Sequence, residues 1–208
     1  MARTAIIPAD QPGAIEEALR VVQDGGLVAF PTDTVYGVGA AAFDGQAVGR
    51  IYEAKGRSED KAIPVLLAGS GDLQRVAAEV SPDLRRLAAR FWPGPLTLVV
   101  VKHVDLPLEV SPSPRVGLRV PDHPVALGLL AAAGPMAVTS ANRSGDPNPT
   151  TAAQVLSALG GRIDLILDGG ETPIRQPSTV VDCTKDPPHL LRPGPIPLEA
   201  VLDCLARR

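Results

Sequence analysis

An α/β fold around a mixed sheet is expected for this 208-residue chain, on three observations. Amphipathic helical stretches alternate with short apolar runs, as in helices packed on a sheet. Two of those runs, "PLTLVVV" (95–101) and "RVGLRVP" (115–121), have no helix between them, so they pair antiparallel and make the sheet mixed. Proline (22) and glycine (20) are spread as turn punctuation rather than gathered in a linker, so residues 1–208 read as one domain.

Each element follows from its own pattern. "GAIEEALRVVQDGG" (13–26) has helical periodicity and stops at paired glycines. "LVAFP" (27–31) is a short buried strand ending at proline. In "GQAVGRIYEAKG" (45–56), Val48, Ile51 and Tyr52 share one helical face. "AIPVLLA" (62–68) is an apolar strand, and "SPDLRRLAARFWPG" (81–94) opens with a Ser-Pro helix start. After the two paired strands come a buried helix "HPVALGLLAAAG" (123–134) and a strand "PMAVTS" (135–140). A polar loop "ANRSGDPNPT" (141–150) precedes the helix "AAQVLSALGG" (152–161), capped by Thr150 or Thr151. Strands "IDLILDGG" (163–170) and "STVVDCT" (178–184) lead to a closing helix "PLEAVLDCLARR" (197–208).

Composition excludes several function classes. Aromatics are 3%, so the core must come from Val, Leu, Ile and Ala. A net charge of −3 argues against a wholly basic nucleic-acid module, so any anion site is a local cluster. Cys183 and Cys204 form no CxxC pattern, which suggests a reduced, cytoplasmic chain without structural zinc. "MARTAIIPAD" lacks the apolar segment of a signal peptide, and no apolar run approaches ~18 residues, so no membrane partner is expected.

The usual catalytic signatures are absent: no GxxxxGK[ST], GxSxG or HExxH. His103, His123 and His189 stand far apart beside or near prolines and read as loop residues. Four polar clusters remain, at the ends of apolar strands. In "PTDTVYGVG" (31–39), Thr32 and Thr34 offer hydroxyls while Gly37 and Gly39 admit a ligand to the backbone; composition alone favours a capped tight turn. In "AKGRSEDK" (54–61), an extended chain past Gly56 would aim Lys55 and Arg57 to one side as an anion grip; a helix end, where cations suit the dipole, is the alternative. In "TSANRSG" (139–145), Ser140 and Asn142 can face one way, or the loop is a turn and cap. The last set is scattered: Arg115, Arg119, Ser178 and Arg192, of which Arg119 sits in an apolar strand and needs an anionic partner from the protein or a ligand. Hydroxyls, amides and cations without an acid–base dyad suit binding of an anionic, nucleotide-like ligand.

Taken in order, "FPTDTVYGVG", "KGRSEDK", "FWPGPLTLV", "VGLRVPDHP", "TSANRSG", "STVVD" and "LLRPGP" resemble the successive motifs of the YrdC-like threonylcarbamoyl-adenylate synthases, over roughly residues 13–200. The resemblance implies a twisted mixed sheet flanked by helices, with a concave basic groove. It implies formation of L-threonylcarbamoyl-adenylate and pyrophosphate from L-threonine, bicarbonate or CO2, and ATP, with Mg2+ accompanying the ATP. Other proteins would then transfer the group to an adenosine of tRNA. Lys55 and Arg57 match the family's K-x-R pair, which holds phosphates and carries catalysis, with Lys61 beside them. Ser140 and Asn142 match its S-x-N pair on the nucleotide, Ser140 also lying near threonine. Thr34, Arg119 and Ser178 fall on the threonine side, Arg119 as a carboxylate clamp; Arg115, Thr150 and Arg192 fall on the nucleotide side. No protein ligand to a metal is implied. Three positions depart from the pattern: Lys61 and Leu66, where some relatives carry asparagine and histidine, and Pro177, where an acid is common. The extra C-terminal domain of longer members is not expected. A double-stranded RNA or tRNA-binding module of the same fold is the alternative function.

Overall fold

In the computed structural model, which describes residues 3–206, every run read as a strand joins a single ten-stranded sheet. Across the sheet the strands are β1 (Ala5–Pro8), β8 (Leu165–Asp168), β2 (Val28–Phe30), β3 (Gly37–Ala41), β7 (Met136–Ser140), β4 (Val65–Leu66), β6 (Arg115–Arg119), β5 (Leu96–Val101), β9 (Thr179–Asp182) and β10 (His189–Arg192). β5 and β6 pair antiparallel as expected, β4 runs parallel to β6, and β1, β8 and β2 run parallel to one another.

Three strands were not legible as strands. β3 is "GVGAA", and glycine is a poor strand former. It holds nonetheless, because a Cβ on Gly39 would lie 2.7 Å from the Ala137 carbonyl oxygen and 2.7 Å from a Val138 methyl of β7. β1 and β10 are short edges of four residues each, and β10 is exposed along its whole length, so neither shows a buried periodicity. The run 62–68 narrows to Val65–Leu66, since Pro64 has no N–H to give a ladder.

The helices are α1 (Ala14–Gln23), α2 (Gly45–Lys55), α3 (Leu73–Val76), α4 (Pro82–Phe91), α5 (Pro124–Ala133), α6 (Ala152–Leu159) and α7 (Leu198–Ala206). Asp44, Ser81 and Thr151 cap α2, α4 and α6 through side-chain oxygens that accept backbone N–H groups. Of the two threonines before α6, Thr151 is the cap; Thr150 instead donates its backbone N–H to Gln154 Oε1 at 2.7 Å. The closing helix is described to Ala206, and its last two residues lie outside the described range.

The pleat splits the core into two layers. Val28, Phe30, Met136 and Val138 point to one face, under α1 and α5; Ala29, Val38, Ala137, Leu98 and Leu118 point to the other, under α2, α4, α6 and α7. α1 and α5 pack on each other over the β1–β8–β2 side. Further along the same face, β3, β7, β4, β6 and β5 turn Gly37, Ser140, Leu66, Arg119 and Thr97 toward a cavity.

Gly39→Ala is expected to destabilise the chain by about 1–3 kcal/mol, because the new methyl meets backbone that cannot move aside. Urea denaturation should show a lower midpoint with an unchanged slope; an unmoved midpoint would contradict the close packing of β3 on β7.

Candidate functional site

The cavity measures about 260 Å³. Its lining contains Arg57, Arg119 and Arg192, the residues Thr32, Thr34, Thr97, Thr139, Ser140 and Ser178, and Asn148. No Asp or Glu belongs to it. Leu66, Val138, Pro64 and Pro177 make its apolar walls.

Arg119 forms the floor. It is buried, and burial pulls its guanidinium below the ordinary value while Asp33 pulls it back up. The anionic partner that a buried arginine requires is supplied by the protein: one terminal nitrogen donates to Asp33 Oδ1. The other donates to Thr34 Oγ1 at 3.0 Å, and Nε donates to the Gly94 carbonyl at 2.9 Å. An arginine carries five N–H donors, so one N–H on each terminal nitrogen remains for a ligand. Thr34 is fixed in turn by Thr32, whose hydroxyl lies 3.0 Å from Thr34 Oγ1 and donates to the Val35 carbonyl at 2.7 Å.

Of the two alternatives for the stretch 54–61, the structure takes the helix end. Lys55 closes α2 and Gly56 turns the chain in the left-handed region at φ 59°. Lys55 does not share a face with Arg57 and does not line the cavity. At 2% exposure it is also no solvated helix end. Its ammonium donates to the carbonyl oxygens of Ser140 and Asn142, and Ser144 N–H donates to the Lys55 carbonyl at 2.9 Å. Lys55 therefore braces the Ser140–Asn142 loop from beneath. Burial, then the nearby Arg57 charge, push it down to about 7 against the pull of Asp146. Arg57 does reach the cavity, on a loop it fixes by donating to the carbonyls of Lys61 (3.2 Å) and Ala62 (3.0 Å).

The opposite wall is Ser178. Its hydroxyl lies 2.8 Å from Thr97 Oγ1, and Arg192 donates to its carbonyl at 2.8 and 3.0 Å and to its hydroxyl at 3.0 Å. β10, unread in the sequence, is what brings Arg192 there by pairing with β9.

The cavity thus unites Thr34, Arg57, Arg119, Ser140, Ser178 and Arg192. Five expected residues lie outside its lining: Lys55, already described, and four more. Arg115, at the far end of β6, pairs with Asp182 at 2.8 Å. Asn142 donates to the Asp146 carbonyl at 2.6 Å. Thr150 is engaged by Gln154, and Lys61 is exposed on the loop behind Arg57. Sequence reasoning missed Thr97, Asn148 and Asp33. Thr97 had a signal, as the one polar residue inside "LTLVVV"; Asp33 had the unmet need of Arg119. The three histidines stay outside the cavity, and both cysteines are free. Among the described residues no cluster of His, Cys, Asp and Glu is able to hold a metal ion, and no helix is long and apolar enough to cross a membrane.

Comparison with known proteins finds relatives in sequence and in fold. The Sua5/YciO/YrdC family model, described as telomere recombination, matches residues 20–194. The threonylcarbamoyl-AMP synthase of Pyrococcus abyssi is 47% identical over 189 residues, which are 90% of this chain and 56% of that protein. This chain therefore spans little more than half of that relative's length. The crystal structure of P. abyssi Sua5 complexed with L-threonine superposes with a TM-score of 0.91 at 42% identity, over 99% of this chain and 61% of that one. E. coli YciO superposes with a TM-score of 0.84 at 27% identity, over 96% of this chain and 98% of that one.

Lys55 makes stability pH-dependent in a defined direction. The unfolded chain keeps the lysine proton up to its ordinary 10.5, whereas the folded chain releases it above about 7. Between those values the unfolded state binds more protons, so stability rises with pH. Relative to Lys55→Met, the wild-type protein should gain up to ~1.4 kcal/mol per pH unit in denaturation across that window. Parallel stability curves would show that Lys55 keeps its proton.

Proposed function

The chain belongs to the Sua5/YciO/YrdC family, and we propose that it is a threonylcarbamoyl-AMP synthase, joining L-threonine, bicarbonate or CO2, and ATP into threonylcarbamoyl-AMP with release of pyrophosphate. One observation carries the reading: a single cavity with no acidic lining holds a buried arginine with N–H groups to spare and two further arginines facing it. That set matches one carboxylate and one polyphosphate. Support also comes from the threonylcarbamoyl-AMP synthase of P. abyssi and from the threonine complex of its Sua5.

In this reading the two free N–H groups of Arg119 receive the threonine carboxylate, a geometry suited to a planar fork. The hydroxyls of Thr34, Ser140 and Ser178 surround the rest of the amino acid. The threonine amine adds to CO2, giving a carbamate and losing a proton. A carbamate oxygen attacks the α-phosphorus of ATP, a P–O bond to pyrophosphate breaks, and pyrophosphate departs with the electron pair. Arg57 and Arg192 offset the charge that gathers on the phosphates. No covalent enzyme intermediate is required, in keeping with a lining that offers hydroxyls but no adjacent base.

Lys55 acts at one remove here. It fixes the Ser140–Asn142 loop against α2 rather than meeting phosphate itself. Asn142, Thr150, Lys61 and Arg115 contribute to ATP binding only by holding or flanking loops. The lining offers no carboxylate, histidine or cysteine to Mg2+, so the ion belongs to the Mg–ATP substrate and no step is assigned to it. Transfer of the threonylcarbamoyl group to tRNA falls to other proteins.

Purified protein supplied with ATP, Mg2+, threonine and bicarbonate should release pyrophosphate only when threonine is present. Arg57→Ala should lower that turnover by on the order of a hundredfold or more with an unchanged thermal midpoint; near-normal turnover would remove its phosphate role. RNA binding by a protein that releases no pyrophosphate would favour the RNA-binding module instead.

A further inference from the structure

Asp33 stands between two cavity-lining threonines, yet it is absent from the lining. Its neighbours' hydroxyls face the cavity, and its carboxylate lies behind Arg119, 3% exposed. One carboxylate oxygen does all the bonding: Oδ1 accepts from Arg119 and from the Asp122 N–H at 3.2 Å. Oδ2 is buried and has no hydrogen-bond partner among the described residues. The Asp33 carbonyl accepts the Ile174 N–H at 3.0 Å, which ties the same residue to the segment leading to Pro177 and Ser178 in the opposite wall.

A buried arginine and carboxylate usually satisfy each other through two parallel bonds. Here the grip uses one oxygen, and that choice decides what Arg119 has left. A two-oxygen grip would occupy a second guanidinium N–H and leave too few for a ligand carboxylate. We propose that Asp33 is a positioning residue for amino-acid binding: its single-oxygen hold neutralises Arg119 from behind, sets the plane of the guanidinium, and reserves one N–H on each terminal nitrogen for the substrate carboxylate. The inference rests on the synthase reading and extends it to a residue that does not touch substrate.

The test compares steady-state kinetics of wild-type protein, Asp33→Asn and Asp33→Glu, with thermal unfolding run on each. Asp33→Asn keeps the shape and removes the charge; Asp33→Glu keeps the charge and moves it by one methylene, and it serves if the asparagine variant does not fold. In each folded variant the threonine KM should rise about tenfold while the ATP KM stays within twofold. A general loosening of structure would move both constants together. Equal changes in both, or a threonine KM within twofold of wild type, would overturn the positioning role while leaving the synthase reading intact. A wild-type protein that neither binds threonine nor releases pyrophosphate would overturn the synthase reading and this inference with it.

Discussion

A guanidinium in the middle of a sheet has to be paired, and much of the site follows from how that is done. Leaving Arg119 charged and unpartnered at this depth would cost several kcal/mol. Asp33 meets the requirement from one side, Thr34 and the Gly94 carbonyl from two others. These partners come from two segments: the loop after β2, which carries Asp33 and Thr34, and the turn before β5, which carries Gly94, are both drawn to one strand end. The Asp33 carbonyl then holds Ile174, so the chain from 170 to 178 is referred to the same point. A cavity assembled from loops far apart in sequence is thereby tied to an interior strand of a ten-stranded sheet.

The glycines of β3 and the helix pair α1–α5 supply the space. Gly37 and Gly39 let β3 approach β7 so closely that a Cβ at either position would meet a Val138 methyl at 2.6 or 2.7 Å. α1 and α5 cover one part of the face and leave Arg119, Leu66, Thr97 and Ser140 open beside them. Lys55 works on the remaining loop. Its buried side chain ties α2 to the backbone of Ser140 and Asn142 and so holds that wall. Arg57 and Arg192 line the cavity itself.

Much of this was legible in the residues, and the rest was not for physical reasons. Strands with buried alternation, such as β5, β6 and β7, announce themselves; β3 does not, because glycine carries no periodicity, and β1 and β10 do not, because exposed edges have no apolar face. The strand-end clusters identified eight residues that meet in the cavity. The position of Lys55 under the loop was not legible, because the sequence leaves the conformation at Gly56 open and the left-handed turn there separates Lys55 from Arg57. The pairing of Arg115 was not legible, because its partner Asp182 is 67 residues away in the chain. Asp33 was inferable only as a need: Arg119 demanded an anion, and nothing in the spacing said which.

Whether the cavity joins an amino acid, a one-carbon unit and a nucleotide can be measured in one product. The protein is incubated with ATP, Mg2+, threonine and 13C-labelled bicarbonate, and the nucleotide product is weighed by mass spectrometry. The account predicts an AMP adduct that carries threonine and one labelled carbon. An adduct of threonine and AMP without the label, or ATP recovered unchanged beside threonine, would contradict it.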